Sequence, residues 1–281
     1  MDRTLLGSVA LMFVAMSLIP VGDSAGKILT TRHGADPFFV AFARFAVGTA
    51  MVLVLVRGRV RWPLFRDPRL WLRAALIAGG IACILTALRT EPLANVFGAF
   101  FVGPLVSYVL SVWLLGERVR PAQTVLVALG FCGVLLVVRP GFGMTPGLGF
   151  AVAAGLLYGG FLTASRWLSG AVPPMQLMVS QTVIGTLLLA PLGAWDWPPL
   201  DAATVPLLLV SGLASAAGNV LLVFAYRRAG GTVLAPFVYF QLIAATLLGW
   251  LVFAELPDAV TLTGLALLVG AGLSTLAVRR G

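Results

Sequence analysis

Asp23, Lys27 and Arg44 are the side chains whose types and spacing could do chemistry, because they interrupt apolar runs that are otherwise almost free of charge. Asp23 and Lys27 stand one helical turn apart and share a face. Pro20, just before them, removes a backbone hydrogen bond and is expected to bend the helix. Arg44 lies about two turns into the next apolar run. If that run enters the bilayer from the end where the first one leaves it, all three reach a similar depth, where an unpaired charge costs at least ~2.5 kcal/mol. A cluster of the three is expected, serving either as a buried ion network that pins two spans together or as an outer gate or substrate contact.

A second constellation is polar and aromatic. Tyr108, Tyr158, Asn219, Tyr239 and Gln241 fall near the middle of apolar runs, where lipid offers no hydrogen-bond partner, so they are expected to face protein or a cavity. A tyrosine there can offer a ring to the apolar body of a substrate and a hydroxyl to its polar end, or simply bond a neighbouring helix. Pro104 and Pro236 break backbone bonds in two of these runs, and freed carbonyls lining a cavity are a common transporter device. Gly79 and Gly80 suit close helix packing.

Enzymatic chemistry has little to work with. His33 is the single histidine, no Cys, His and carboxylate spacing suits a metal, and GxxxxGK[ST] is absent. Neither catalysis, a metal nor a cofactor is expected. Cys83 and Cys132 fall inside apolar runs and read as free thiols.

The elements that must position these groups are membrane helices. The composition is 60% hydrophobic and 10% charged, with a mean hydropathy of +1.02, which excludes an ordinary soluble domain. A net charge of +9 would suggest nucleic acid in a soluble protein, but here the charge sits between apolar runs and orients the chain instead. The first 22 residues have the basic start and apolar run of a signal peptide. Their removal would leave one half of the chain a helix short, so they are read as a span.

Ten spans are expected, at about residues 4–29, 37–56, 70–88, 93–115, 121–138, 147–168, 174–192, 204–226, 232–254 and 259–278. The longest connection carries Arg57, Arg59, Arg61, Arg66, Arg69 and Arg73 and should be cytoplasmic. Arg3, Arg118, Arg120, Arg166, Arg227, Arg228, Arg279 and Arg280 then fall on the same side, as do both termini. Asp196, Asp201, Glu255 and Asp258 fall outside.

The chain also repeats itself. Ala87, Arg89 and Glu117 recur 138 positions later as Ala225, Arg227 and Glu255, while Pro37, Gly48 and Thr49 recur 137 positions later as Pro174, Gly185 and Thr186. Residues 1–139 and 140–281 form two five-span units, and the odd number gives them opposite orientation. Arg44 maps to Gln181, so the two ends should differ chemically.

The runs APFVYFQLIAATLLGWLVFAELPD and VGPLVSYVLSVWLLGERV, together with Asp23, Lys27 and Arg44, resemble the drug/metabolite transporter superfamily, EamA family, over nearly the whole chain. Asp23, Lys27 and Arg44 resemble a branch that includes S-adenosylmethionine uptake carriers and other metabolite carriers. The Gly116 and Glu117 pair is present, whereas the second half reads Ala254 and Glu255, a mild departure. The resemblance implies a basket of spans 1, 3, 4, 6, 8 and 9 around a cavity, with spans 5 and 10 peripheral, and transport without ATP.

Together these readings lead to an inner-membrane, multi-pass secondary transporter working by alternating access. Its expected cargo is a small polar or zwitterionic metabolite, amino acids and their derivatives first. Alternatives are a carrier for a larger amphipathic vitamin, S-adenosylmethionine-like cofactor or drug, and a membrane scaffold or sensor. Expected partners are the small-molecule substrate and the lipid bilayer, with a proton or an exchanged metabolite as the candidate coupling species and no nucleic acid.

Overall fold

The computed structural model describes residues 3–116, 121–141, 143–195, 197–228 and 234–278, and no strand occurs among them. Glu117, Arg118, Arg120, Asp196, Thr232, Arg279 and Arg280 lie outside the described residues, and Arg3, Arg227, Arg228 and Pro236 are described in backbone only. The helices are α1 (Arg3–Arg32), α2 (Pro37–Leu55), α3 (Pro68–Leu88), α4 (Leu93–Phe100), α5 (Val102–Leu115) and α6 (Pro121–Val138). They continue as α7 (Pro146–Trp167), α8 (Pro174–Gly193), α9 (Thr204–Arg228), α10 (Phe240–Phe253) and α11 (Ala259–Val278).

Their starts are written in the sequence. Proline occupies the first turn of α2, α3 and α7, where its missing N–H costs nothing, and Asp36, Asp67 and Thr145 cap those helices through their side chains. Each such cap is worth about 1 kcal/mol.

Seven helical stretches among the described residues are long and apolar enough to cross a membrane: Gly7–Arg32, Pro37–Leu55, Pro68–Leu88, Leu93–Leu115, Pro146–Trp167, Pro174–Gly193 and Thr204–Ala225. Thr124–Val138, Phe237–Phe253 and Ala259–Ser274 are shorter apolar helices at the places of the remaining expected spans.

The stretch from Leu93 to Leu115 is not one straight helix. Its path breaks at Phe101, between α4 and α5. The ring of Pro104 conflicts with the carbonyl of Phe100 four residues earlier, which ends the regular ladder there. The corresponding stretch of the second half opens with a 3-10 turn, Ala235–Tyr239, before α10 begins.

Packing follows the repeat. α1 lies along α9 as α7 lies along α3, while α2 packs on α8 and α6 on α11. A methyl group added at Gly218 would stand 3.0 Å from the Ala15 carbonyl oxygen, and one at Gly80 would stand 3.5 Å from that of Ala154. Those glycines therefore let α9 meet α1, and α3 meet α7, almost backbone to backbone. Repeat-equivalent residues also meet each other. The hydroxyls of Thr49 and Thr186 are 3.1 Å apart, and the rings of Phe101 and Tyr239 pack at 4.9 Å.

One expected placement is corrected. The sequence places Arg73 in the basic loop, but it lies in α3 and is buried. The helix starts at Pro68, so Arg73 is already a turn inside, where α7 and α8 cover it.

Candidate functional site

α1 carries Asp23 and Lys27 into the protein on one face, and the structure gives them different partners. Asp23 accepts a hydrogen bond from Arg44 Nη1, and both side chains are 3% exposed. α9 comes close at this point because α1 has Gly22 and Gly26. A methyl group at Gly22 would stand 2.9 Å from the Ser211 carbonyl oxygen and 3.3 Å from Arg44 Nη2, and one at Gly26 would stand 3.6 Å from Ser211 Oγ. Arg44 Nε and Ser211 Oγ are buried beside the pair without a hydrogen-bond partner among the described residues. Such a pair is held together because removing either member would strand a charge away from water.

Lys27 points instead to the second half of the chain. Its Nζ donates to Glu255 Oε1 at 2.6 Å, to Glu255 Oε2 at 2.8 Å and to the Glu91 carbonyl oxygen at 2.8 Å, so all three ammonium protons can be used. The ammonium also lies 4.8 Å from the centre of the Phe253 ring.

Glu255 reaches this position through the end of α10. Ala254 adopts the left-handed conformation with φ 56°, the Ala254 N–H donates to the Trp250 carbonyl, and the Glu255 N–H donates to the Gly249 carbonyl. This left-handed ending reverses the chain and brings the Glu255 carboxylate to Lys27. Gly116, the repeat equivalent of Ala254, ends α5 in the same conformation with φ 66°. Glu255 Oε2 also accepts from the Leu93 N–H at 3.3 Å, at the start of α4. Beside it, Thr145 donates to the buried Glu91 carboxylate and accepts from the Leu148 N–H, which fastens the start of α7 to the same cluster.

Outside the spans, the loops carry fixed charges. Backbone N–H groups of Thr204 and Ala203 hold the Asp201 carboxyl below its ordinary range, and Arg139 does the same for Asp258 through an exposed ion pair.

The opposite end of the bundle is built differently. Arg73 Nε donates to Ser165 Oγ at 2.8 Å, its Nη1 donates to the Leu177 carbonyl at 3.2 Å, and its guanidinium lies 4.4 Å from the centre of the Phe161 ring. Among the described residues no carboxylate forms an ion pair with it. Arg166, near the end of α7, is exposed, and its Nη1 donates to Ser111 Oγ at 3.0 Å.

Of the residues expected near mid-depth, Tyr158 and Tyr239 pack at the break around Phe101, while Gln241, Asn219 and Tyr108 lie elsewhere in their helices. The Tyr158 ring lies 4.7 Å from that of Phe100 and 5.8 Å from that of Phe161. Tyr239 is packed against Phe101 on one side and Gly272 of α11 on another. Gln241 is buried in the first turn of α10. Asn219 Nδ2 donates to the carbonyl of Ser215 in its own helix, and the Tyr108 hydroxyl bonds Thr124 on α6 at 2.9 Å.

Glu255, Glu91 and Arg73 are polar members of these clusters that sequence reasoning did not assign to a site. The repeat held a signal for two of them. Glu255 and Lys27 both stand at span ends placed on the same side, and Arg73 occupies the repeat position of Ser211.

Comparison with known proteins agrees with this architecture. The model of the EamA-like transporter family matches the chain twice, over residues 4–139 and 145–276. The pseudopaline exporter CntI of Pseudomonas aeruginosa (strain UCBPP-PA14) is 28% identical over 86% of this chain and 87% of its own length. A riboflavin transporter of Brucella anthropi is 26% identical over 93% and 95%. An S-adenosylmethionine uptake transporter of Rickettsia prowazekii is 21% identical over 96% and 92%. A solved crystal structure shares the fold, with a TM-score of 0.67 and 21% identity over 98% of each chain. A doubled helical chain whose halves are joined by the Lys27–Glu255 ion pair, matched by this family model almost end to end, is a multi-pass membrane transporter, and the protein belongs to the EamA-like transporter family.

Proposed function

We propose that the protein is an inner-membrane secondary carrier for small polar or zwitterionic metabolites, amino acids and their derivatives first, and that it works by alternating access. The observation that carries this reading is the way the two halves meet. α1 on α9 repeats as α7 on α3, and Thr49 touches its equivalent Thr186. Two copies packed about a shared axis supply two conformations of similar energy, one open to each side, when the copies are inserted with opposite orientation. In this reading the ten spans form two inverted five-span units, 1–139 and 140–281, with both termini cytoplasmic. Asp23, Lys27 and Arg44 belong to the outer gate, while Tyr158, Tyr239, Gln241, Asn219 and Tyr108 are the candidate cavity residues near mid-depth.

Two experiments test it. Concentrative uptake into vesicles without ATP is expected, and its absence across a metabolite library that raises the melting temperature would reject the carrier reading. Single cysteines replacing Arg61 and Asp201, in a chain lacking Cys83 and Cys132, test the orientation. The probe at 201 should react with an impermeant thiol reagent in intact cells and the probe at 61 only after lysis; the opposite result rejects the topology.

A larger amphipathic cargo is the second reading. The packed rings of Phe100, Tyr158 and Phe161 favour it, as do relatives named for riboflavin and S-adenosylmethionine.

A further inference from the structure

Lys27 is the only lysine in the chain, and the position of its ammonium sets a requirement on whatever passes it. Its side chain is 6% exposed, whereas that of its partner Glu255 is 29% exposed. Of the two, the carboxylate is therefore the member on the accessible side. The groups around that carboxylate would suit any other: two ammonium hydrogen bonds, at 2.6 and 2.8 Å, and the Leu93 N–H at 3.3 Å. The remaining ammonium proton is held by the Glu91 carbonyl, which keeps Lys27 in place when the carboxylate leaves.

Glu255 belongs to the second half of the chain and Lys27 to the first. α1 packs chiefly on helices of the second half, so the separable element is the end of α10: a movement of the turn at Ala254 that opens this end draws the carboxylate away while the Glu91 carbonyl holds Lys27. Lys27 would then be a buried cation with no carboxylate bonded to it, only the nearby Glu91 carboxylate that Thr145 already bonds, a state that membrane interiors disfavour. An incoming carboxylate removes that penalty, and a neutral or cationic cargo does not.

We infer that Lys27 is a carboxylate seat in which Glu255 is the resident, exchangeable anion, and that cargo admitted at this end bears a carboxylate that takes the place of Glu255. This rests on the carrier reading above and narrows its substrate class. At the opposite end of the molecule Arg166 of α7 is exposed, whereas Lys27 is buried.

The test uses the purified full chain and a small amine-acylating reagent, with the modified lysine peptide quantified by mass spectrometry. Substituting Glu255→Ala should raise the acylation rate of Lys27 about tenfold, in line with the loss of hydrogen bonds to a charged group. Formate, used as the probe, should slow it again, and chloride at the same ionic strength should not. Glu255→Gln, which preserves shape, gives the same readout if the alanine variant folds poorly. Compounds that protect Lys27 in the unsubstituted chain should carry a free carboxylate, and their methyl esters should not protect.

An acylation rate that neither substitution changes, or formate acting no better than chloride, overturns the seat. Protection by methyl esters as strong as by the acids overturns the substrate class. Formate protection without flux of any cargo rejects the carrier reading and leaves the seat standing, so the two failures are separable.

Discussion

Two corners of the bundle bury a guanidinium at equivalent places in the two halves. In the corner formed by α1, α2 and α9, the cation is Arg44 of α2, its anion is Asp23 of α1, and Ser211 of α9 lies beside them. In the corner formed by α7, α8 and α3, the place of Arg44 is taken by the buried Gln181, while the place of Ser211 is taken by Arg73. The charge has moved to another helix and lost its carboxylate; Ser165, a backbone carbonyl and the face of Phe161 replace it. Duplication thus preserves the slots between helices, because small residues set the helix separation. The chemistry of each slot is free to diverge. One corner holds a charge pair that fails badly when halved, and the other holds a cation whose neighbours are already content.

The sharpest way to break this comparison is to remove each cation in turn. Arg44→Met strands the Asp23 carboxylate and should destabilise the protein by about 3–5 kcal/mol, the cost of leaving one member of a buried pair. Arg73→Met strands no charge, and because Ser165 Oγ also donates to the Phe161 carbonyl, its cost should stay below about 1.5 kcal/mol. Melting temperatures in one detergent decide it, and equal losses would end the distinction. A double substitution, Asp23→Asn with Arg44→Met, should recover much of the loss of either single change.

The cavity assignment separates binding from packing at the meeting of the halves. Tyr239→Phe and Gln241→Ala should weaken ligand binding by about 1–3 kcal/mol with little change in the unliganded melting temperature. A lowered melting temperature with unchanged affinity would assign both residues to packing.

The two equivalent helix ends share the left-handed conformation but carry different residues, Gly116 and Ala254. Ala254→Gly should stabilise the protein by about 0.5–1 kcal/mol, since Gly116 already meets the same backbone demand without a Cβ. Gly116→Ala should do the reverse. Thermal unfolding of both variants measures the asymmetry.

The smallest effect is expected at the exposed pair of Arg139 and Asp258. The pair holds the Asp258 carboxyl below its ordinary range, so its contribution is present above the carboxylate's unfolded value and is lost as pH falls through the lower folded value. Asp258→Asn should therefore leave the melting temperature at neutral pH nearly unchanged and make it less sensitive to acid. A large drop at neutral pH would mean that this loop contact matters as much as the buried pairs.

The membrane class, the helical stretches and the duplication were legible in the amino-acid order, because lipid demands long apolar runs and a repeated chain keeps its glycines, prolines and charges in register. The proline-marked starts of α2, α3 and α7 and the disruption near Pro104 were legible for equally local reasons. Depth alone led to a cluster of Asp23, Lys27 and Arg44, since charges at one level of a bilayer need each other; the structure keeps Asp23 with Arg44 and takes Lys27 elsewhere. The pairing of Lys27 with Glu255, 228 positions away, was decided by tertiary structure. It depends on how α1 meets the end of α10 and on a left-handed turn at Ala254, neither of which is encoded near Lys27. Arg73 was misjudged for a related reason. A basic residue following others in sequence reads as loop until α7 and α8 close over it, and burial is a property of neighbours that only the folded chain brings together.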